Sequence, residues 1–284
     1  MTMSRTEAPP LPEPLGVPVA DSHTHLDMQD GSVEESLARA AAVNVTTVIQ
    51  VGCDLKGSHW AAETAAAHPS VYAAVALHPN EAPRIVHGDQ GAREAGGTAA
   101  LHEALAEIDA LAALDHVRGV GETGLDYFRT GPEGVAAQEE SFRAHIEIAK
   151  RHGKALVIHD REAHADVLRI LTDAGAPERT VFHCYSGDAD MARICADAGY
   201  FMSFAGNVTF KNAQPLRDAL VVAPLELVLV ETDAPFLTPA PYRGRPNAPY
   251  LIPVTLRAMA AVKGVDEDTL ASAVAGNTAR AFDY

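Results

Sequence analysis

Eight short runs rich in valine, isoleucine and aromatic residues recur along the chain, and longer stretches of alanine, leucine and charged residues at helical spacing separate them. The strand-like runs are 19–26, 46–51, 71–77, 117–123, 155–159, 180–185, 200–205 and 227–232. Helical spacing occupies 33–42, 58–67, 101–114, 138–151, 163–174 and 189–198. Alternation of this kind predicts a parallel sheet, because parallel strands need a helical crossover between them. Eight such units in a chain of 284 residues predict an α/β fold of the (β/α)8 TIM-barrel type, whose usual size is about 250 residues.

The flanks read differently. Residues 1–17 carry Pro9, Pro10, Pro12 and Pro14. Proline neither donates to a ladder nor sits inside a helix, so this stretch is expected to be a flexible arm, disordered or draped on the surface. It precedes a single barrel domain over 18–284. A second soft stretch, 81–100, holds Gly88, Gly91, Gly96 and Gly97 among charges and is expected to be a long loop with some helix.

Composition bounds the function. With 22 basic and 38 acidic residues the formal net charge is −16, so the chain is a poor candidate for coating long duplex nucleic acid. Cys53, Cys184 and Cys195 are too few for a disulfide framework and form no CxxC pair, which fits a reduced, cytoplasmic setting. The first residues hold no apolar signal region, and no apolar run reaches the roughly 20 residues of a bilayer span, so no membrane role is expected. No GxSxG, Walker loop or GxGxxG occurs, which removes serine-hydrolase, NTPase and dinucleotide readings and leaves no organic cofactor.

The chemistry gathers at the C-terminal ends of the strand runs, where barrel enzymes place their sites. Run 1 ends in Asp21-Ser22-His23-Thr24-His25, run 4 in Gly121-Glu122-Thr123-Gly124 and run 5 in His159-Asp160. Run 6 ends in His183-Cys184, and run 8 in Glu231-Thr232-Asp233. His23 and His25 are two apart and share one side of a strand, so both imidazoles can converge on one ion. A chance HxH in a polar loop competes with that reading until Glu122, His159, His183 and Asp233 are added at matching strand ends. Six ligands exceed one tetrahedral sphere and suit two ions with a bridging carboxylate. Glu122 is the candidate bridge, His23, His25 and Asp233 complete one ion, and His159 and His183 complete the other. Nitrogen with carboxylate donors suits Zn, Mn, Fe or Co, with Mg where oxygen dominates. Asp233 is either a plain ligand or also the base that takes a proton from water, and with Glu122 it is a candidate catalytic residue.

These segments resemble a known family. DSHTHLD (21–27), GETGLDY (121–127), VIHDRE (157–162), FHCYSG (182–187), ETDAPFLTP (231–239), RGRPNAP (243–249) and NTARAF (277–282) are similar, in order, to the signatures of the TatD family. The resemblance runs from about residue 18 to the C-terminus. It implies a TIM-type barrel, two divalent ions (Mg, Mn or Zn) and phosphodiester hydrolysis of DNA, typically as an exonuclease, by a two-metal-activated water. It places His23 and His25 at the HxH ligands, Glu122 at the bridge, His159 and His183 at the second ion and Asp233 at the final aspartate. The expected partner is DNA, at strand ends or single-stranded.

Substrate contacts are expected from Arg161, which faces the same side as His159 and either forks a phosphate or meets a loop carboxylate. Arg243 and Arg245, in a proline-stiffened loop, are candidate phosphate cations; Ser186 offers a hydroxyl after run 6, and His78 stands before Pro79 at the end of run 3. The remaining eight histidines read as structural. Cys184 alternates away from its neighbouring ligand, and no base-stacking stripe is evident. Two rivals remain: a hydrolase of an ester, lactone or amide on the same barrel, and a non-catalytic metal-binding protein.

Overall fold

The computed structural model describes residues 7–88 and 94–284. Eight strands follow the sequence: β1 (Val19–Thr24), β2 (Val45–Val51), β3 (Val71–Val75), β4 (Val117–Asp126), β5 (Ala155–Arg161), β6 (Thr180–Phe182), β7 (Phe201–Phe204) and β8 (Val228–Val230). The helices are α1 (Val33–Ala41), α2 (Leu55–Ala67), α3 (Glu81–His87), α4 (Gly97–Ala112) and α5 (Val135–His152). There follow α6 (His164–Ala174), α7 (Ala189–Asp197), α8 (Gln214–Val222), α9 (Ile252–Lys263) and α10 (Glu267–Phe282). The sheet order is β1-β2-β3-β4-β5-β6-β7-β8, as in a (β/α)8 fold. Each expected strand is present, within a few residues at either end.

Packing divides the chain into two units. The first comprises the residues up to Gln50 and His183–Arg280. It holds the neighbours β7 and β8 (Ser203 opposite Leu229) and β1 and β2 (Val19 opposite Val45). The last and first strands are joined inside it: Asp233 N–H donates to His23 O at 2.9 Å and His25 N–H to Ala234 O at 2.8 Å. The second unit, Val51–Phe182 with Ala281–Tyr284, holds β3 to β6, in register at Ala74–Gly119, Gly119–Ala155 and Leu156–Thr180. Strands β7 and β8 are buried along their whole length, which is why they read as nearly continuous apolar runs, broken in β7 by Ser203, rather than as an alternation.

Local chemistry starts and stops the helices. Ser32 and Glu35 form a capping box on α1, and the Asp54 carboxylate accepts from Gly57 N–H at 2.6 Å at the start of α2. Helix α5 ends on Gly153 in the left-handed conformation, φ +60°, a backbone state glycine adopts freely.

Residues 7–17 are draped, not loose. Tyr250 Oη donates to Pro9 O, Arg257 to Glu13 O and Asn44 to Leu15 O, and the Leu15 side chain is buried. Residues 1–6 of the expected arm lie outside the described residues. The stretch 81–100 is more helical than expected, with α3 and the start of α4 in it; Gly88, φ +78°, ends α3, and 89–93 lie outside the described residues. Among the described residues no helix is long and apolar enough to cross a membrane.

His145, on α5, is wholly buried and has a defined tautomer. Leu77 N–H donates to Nε2 at 3.1 Å, so Nδ1 carries the proton and gives it to Ser141 O at 2.7 Å. Burial depresses its pKa from 6.5 to about 4. A depressed histidine pKa adds stability above pH 6.5 that is lost as pH falls through 4, here about 3 kcal/mol in all. In urea melts between pH 7 and pH 4, the stability gap between the wild type and His145→Phe is expected to shrink toward low pH. A gap that stays constant would contradict this assignment.

Candidate metal centre

In the first unit, β1 and the residue after its end bring His23 and His25 together as their spacing predicts. The two Nε2 atoms lie 3.3 Å apart, and Asp233 Oδ1 lies 3.8 Å from the first and 3.6 Å from the second. An ion bound tetrahedrally at about 2.1 Å separates its ligand atoms by roughly 3.4 Å, so this triangle fits one face of such a sphere. Asp233 follows β8 with φ +51°, a left-handed conformation uncommon outside glycine, asparagine and aspartate. The hydrogen bonds Asp233 N–H to His23 O and Phe236 N–H to Asp233 O hold it there.

His183, after β6, stacks on His23 with ring centroids 3.8 Å apart. Its Nδ1 lies 3.2 Å from Glu231 Oε1, which also accepts from Cys184 N–H at 2.9 Å. Glu231 is fully buried. The carboxylate fixes the proton on Nδ1 and leaves the Nε2 lone pair for an ion, a pairing common behind metal-bound histidines. Asp21 works on the backbone instead: it accepts from Thr232 N–H at 2.9 Å, from the Thr232 hydroxyl and from His23 N–H. Burial pushes its carboxyl up to about 8, against the pull of those bonds.

In the second unit, His159 on β5 lies between two carboxylates. Its Nδ1 is 2.6 Å from Glu122 Oε1, and its Nε2 is 3.2 Å from Asp126 Oδ2. Burial works to raise the Asp126 carboxyl, but hydrogen bonds from His159, Arg129 N–H and Asn80 outweigh it and hold it well below the usual range. An ionised Asp126 keeps a proton on Nε2, so Nδ1 is the ring nitrogen turned to Glu122. At 2.6 Å the Nδ1–Oε1 contact is that of a shared proton; a divalent ion held by both atoms would displace that proton and part them to about 3.4 Å. Gly124 makes the approach possible: a Cβ there would lie 2.1 Å from His159 O, and its φ is +137°.

His78 joins this second cluster, with Nε2 3.4 Å from Glu122 Oε1. Asn80 N–H donates to His78 Nδ1 at 3.0 Å, so in the neutral ring Nε2 bears the proton. Burial lowers its pKa and keeps it neutral. His78 is therefore a hydrogen-bond donor beside Glu122 rather than a ligand. Cys53 Sγ lies 3.8 Å from Glu122 Oε2, a contact that sequence spacing does not disclose.

The remaining candidates divide. Arg161 meets no carboxylate among the described residues; its guanidinium lies 3.8 Å over the Phe128 ring. Arg243 is exposed and lies 4.2 Å over Phe210, and Ser186 is exposed. Arg245 corrects the expectation of a phosphate cation. It is buried and donates to Glu7 O at 2.7 Å and Ala8 O at 2.8 Å, because the docked N-terminal segment offers carbonyls that loop spacing could not reveal. Cys184 has φ +40°, and its Sγ accepts from Asn207, in keeping with a structural role.

A model of the family described as TatD related DNase matches residues 20–283. The chain is 42% identical over 272 residues to a metal-dependent hydrolase, TatD, of Mycobacterium tuberculosis, covering 93% of this chain and 97% of that one. It is 34% identical over 266 residues to the metal-dependent hydrolase YabD of Bacillus subtilis, covering 92% and 98%. Among solved structures, the TatD homologue YjjV of Escherichia coli superposes with a TM-score of 0.82 at 26% identity, covering 94% and 98%. A hydrolase of the TatD family from Entamoeba histolytica, at 18% identity and TM-score 0.76 over 94% and 99%, shares the fold. The two clusters of candidate ligands, the strand order and these likenesses agree, and the chain belongs to the TatD family of metal-dependent hydrolases.

Proposed function

We propose that the protein hydrolyses phosphodiester bonds of DNA, removing nucleotides from strand ends or single-stranded termini. The observation that carries this reading is Arg161. In a chain of net charge −16 it is a cation with no carboxylate partner among the described residues, two residues beyond His159 on the same strand. A guanidinium in that position suits a substrate phosphate. The description of the matched family as a DNase supports the same substrate class.

Divalent ions, when bound, supply Lewis acidity and an easily deprotonated water. His23, His25 and Asp233 would hold one ion, and Glu122 with His159 Nδ1 another. Asp126 and Glu231 keep protons on His159 Nε2 and His183 Nδ1, so that each ring presents one defined lone pair. Asp233, still partly exposed beyond β8, would accept a proton from the attacking water. His78, as a neutral donor, would turn its single Nε2–H from Glu122 Oε1, 3.4 Å away, to a substrate oxygen on which charge builds.

At saturation two divalent ions per chain are expected by elemental analysis, with activity lost on chelation and restored by Mn or Zn. One bound ion in fully active protein would overturn the two-ion reading. The substrate is tested by comparing linear single-stranded DNA with the same sequence as a closed duplex circle. Preference for the linear strand is expected, with a shallow salt dependence from few phosphate contacts. Equal rates would overturn the end-directed reading. Hydrolysis of esters or lactones without cleavage of either DNA would replace the phosphodiester reading.

A further inference from the structure

Phe128 is the most exposed large apolar side chain among the described residues, at 58%. It is not exposed by looseness, since the turn that carries it is pinned on both sides. Tyr127 N–H donates to Arg161 O at 3.0 Å, Arg129 N–H to Asp126 Oδ1 at 2.9 Å, and Tyr127 Oη to Asp166 Oδ2 at 2.9 Å. A fixed backbone therefore holds an apolar ring in water, where each buried square ångström would be favourable. Arg161 lies against that ring and has no carboxylate partner among the described residues. Its N–H donors are thus available to an anion, while the ring keeps open surface beside them.

The position ties this pair to the chemistry. Asp126 and Arg161 are ladder partners on β4 and β5. Phe128 lies two residues beyond Asp126, and Arg161 two beyond His159, and those two are hydrogen-bonded to each other. A π face, a cation and a metal-ligand cluster thus stand on one pair of strands in one unit. A ligand matching all three has a flat aromatic ring, a phosphate and a scissile bond. We propose that Phe128 and Arg161 form a nucleotide subsite in which a base of the single-stranded substrate stacks on Phe128 while Arg161 holds its phosphate. The assignment rests on the phosphodiesterase reading and adds to it the recognition of a base.

The test compares deoxyadenosine 5′-monophosphate with 2-deoxyribose 5-phosphate, which keeps the sugar and phosphate and lacks the base. Both are titrated calorimetrically into the Mn-supplied protein. Wild type is expected to bind the nucleotide roughly tenfold tighter or more, within the range of base–aromatic stacking. Phe128→Ala should abolish that preference and leave the baseless ligand within about twofold, whereas Phe128→Trp should preserve it. Arg161→Ala should weaken both ligands. Circular dichroism checks that each variant is folded, which the exposure of Phe128 favours. Equal binding of the two ligands by wild type, or an unchanged preference in Phe128→Ala, would overturn the subsite. The same wild-type preparation is assayed on a single-stranded oligonucleotide. Cleavage without base-dependent binding removes the subsite alone, and base-dependent binding without cleavage removes the phosphodiesterase reading alone.

Discussion

Asp233→Ala is expected to lower kcat on a single-stranded oligonucleotide by about a thousandfold or more, equivalent to about 4 kcal/mol of transition-state stabilisation. Two losses combine in that figure. The carboxylate is the only anionic corner of the triangle it forms with His23 and His25, so its removal weakens the grip on one ion. In the proposed mechanism it also takes the proton from water. Asp233→Asn separates the two, because an amide oxygen still ligates but is a poor base. Metal content near wild type with the rate lost would assign the residue to proton transfer, and loss of both would make it a ligand alone. Melting temperature should fall by only a few degrees: the side chain stands beyond β8 and removes no core volume, but alanine tolerates the left-handed φ of +51° less well than aspartate. Retention of more than about a tenth of the wild-type rate by Asp233→Ala would contradict both roles.

Gly124→Ala is expected to cost of order 3 kcal/mol, from a disfavoured backbone conformation and a steric clash together. The φ of +137° is one that residues with a side chain rarely adopt, and the new methyl would meet His159 O at 2.1 Å. Strand β4 has to move away from β5 at the point where Glu122 and His159 meet. Melting should fall by roughly 5–10 °C, with the second cluster's metal affinity falling alongside it. Gly153→Ala is the control: its φ is +60°, but nothing lies within 4 Å of the added carbon. A Gly124→Ala variant no less stable than Gly153→Ala would show that the strands separate without cost.

The strands and the six candidate ligands were legible because each follows a rule of period and position. Buried parallel strands give short apolar runs, and their polar residues gather at one end. The carboxylates behind the histidines were not singled out, although a trace of them was present. Asp21 precedes His23 by two, Glu231 precedes Asp233 by two, and Asp126 follows Glu122 by four. Even spacing on a strand keeps both residues on one side, so such pairs could have been marked. What spacing cannot supply is the partner: Glu231 backs His183, and Asp126 backs His159, across stretches of sequence that only folding brings together. The same limit explains Arg245, whose inward turn depends on carbonyls at Glu7 and Ala8. It also explains Phe128, whose exposure no alternation pattern announces.

The way the chain is shared between its two units sets an order of events during synthesis. The segment Val51–Phe182 emerges from the ribosome in one continuous piece, with β3 to β6 and their helices available to one another at once. The residues up to Gln50 come first but have to wait: their unit is completed only by His183–Arg280, including β8, which is joined to β1. At about 5–20 residues per second that wait lasts on the order of ten seconds. Throughout it β1 lacks its β8 neighbour, so the nascent chain carries an open strand edge of the kind that chaperones shield and that invites mispairing.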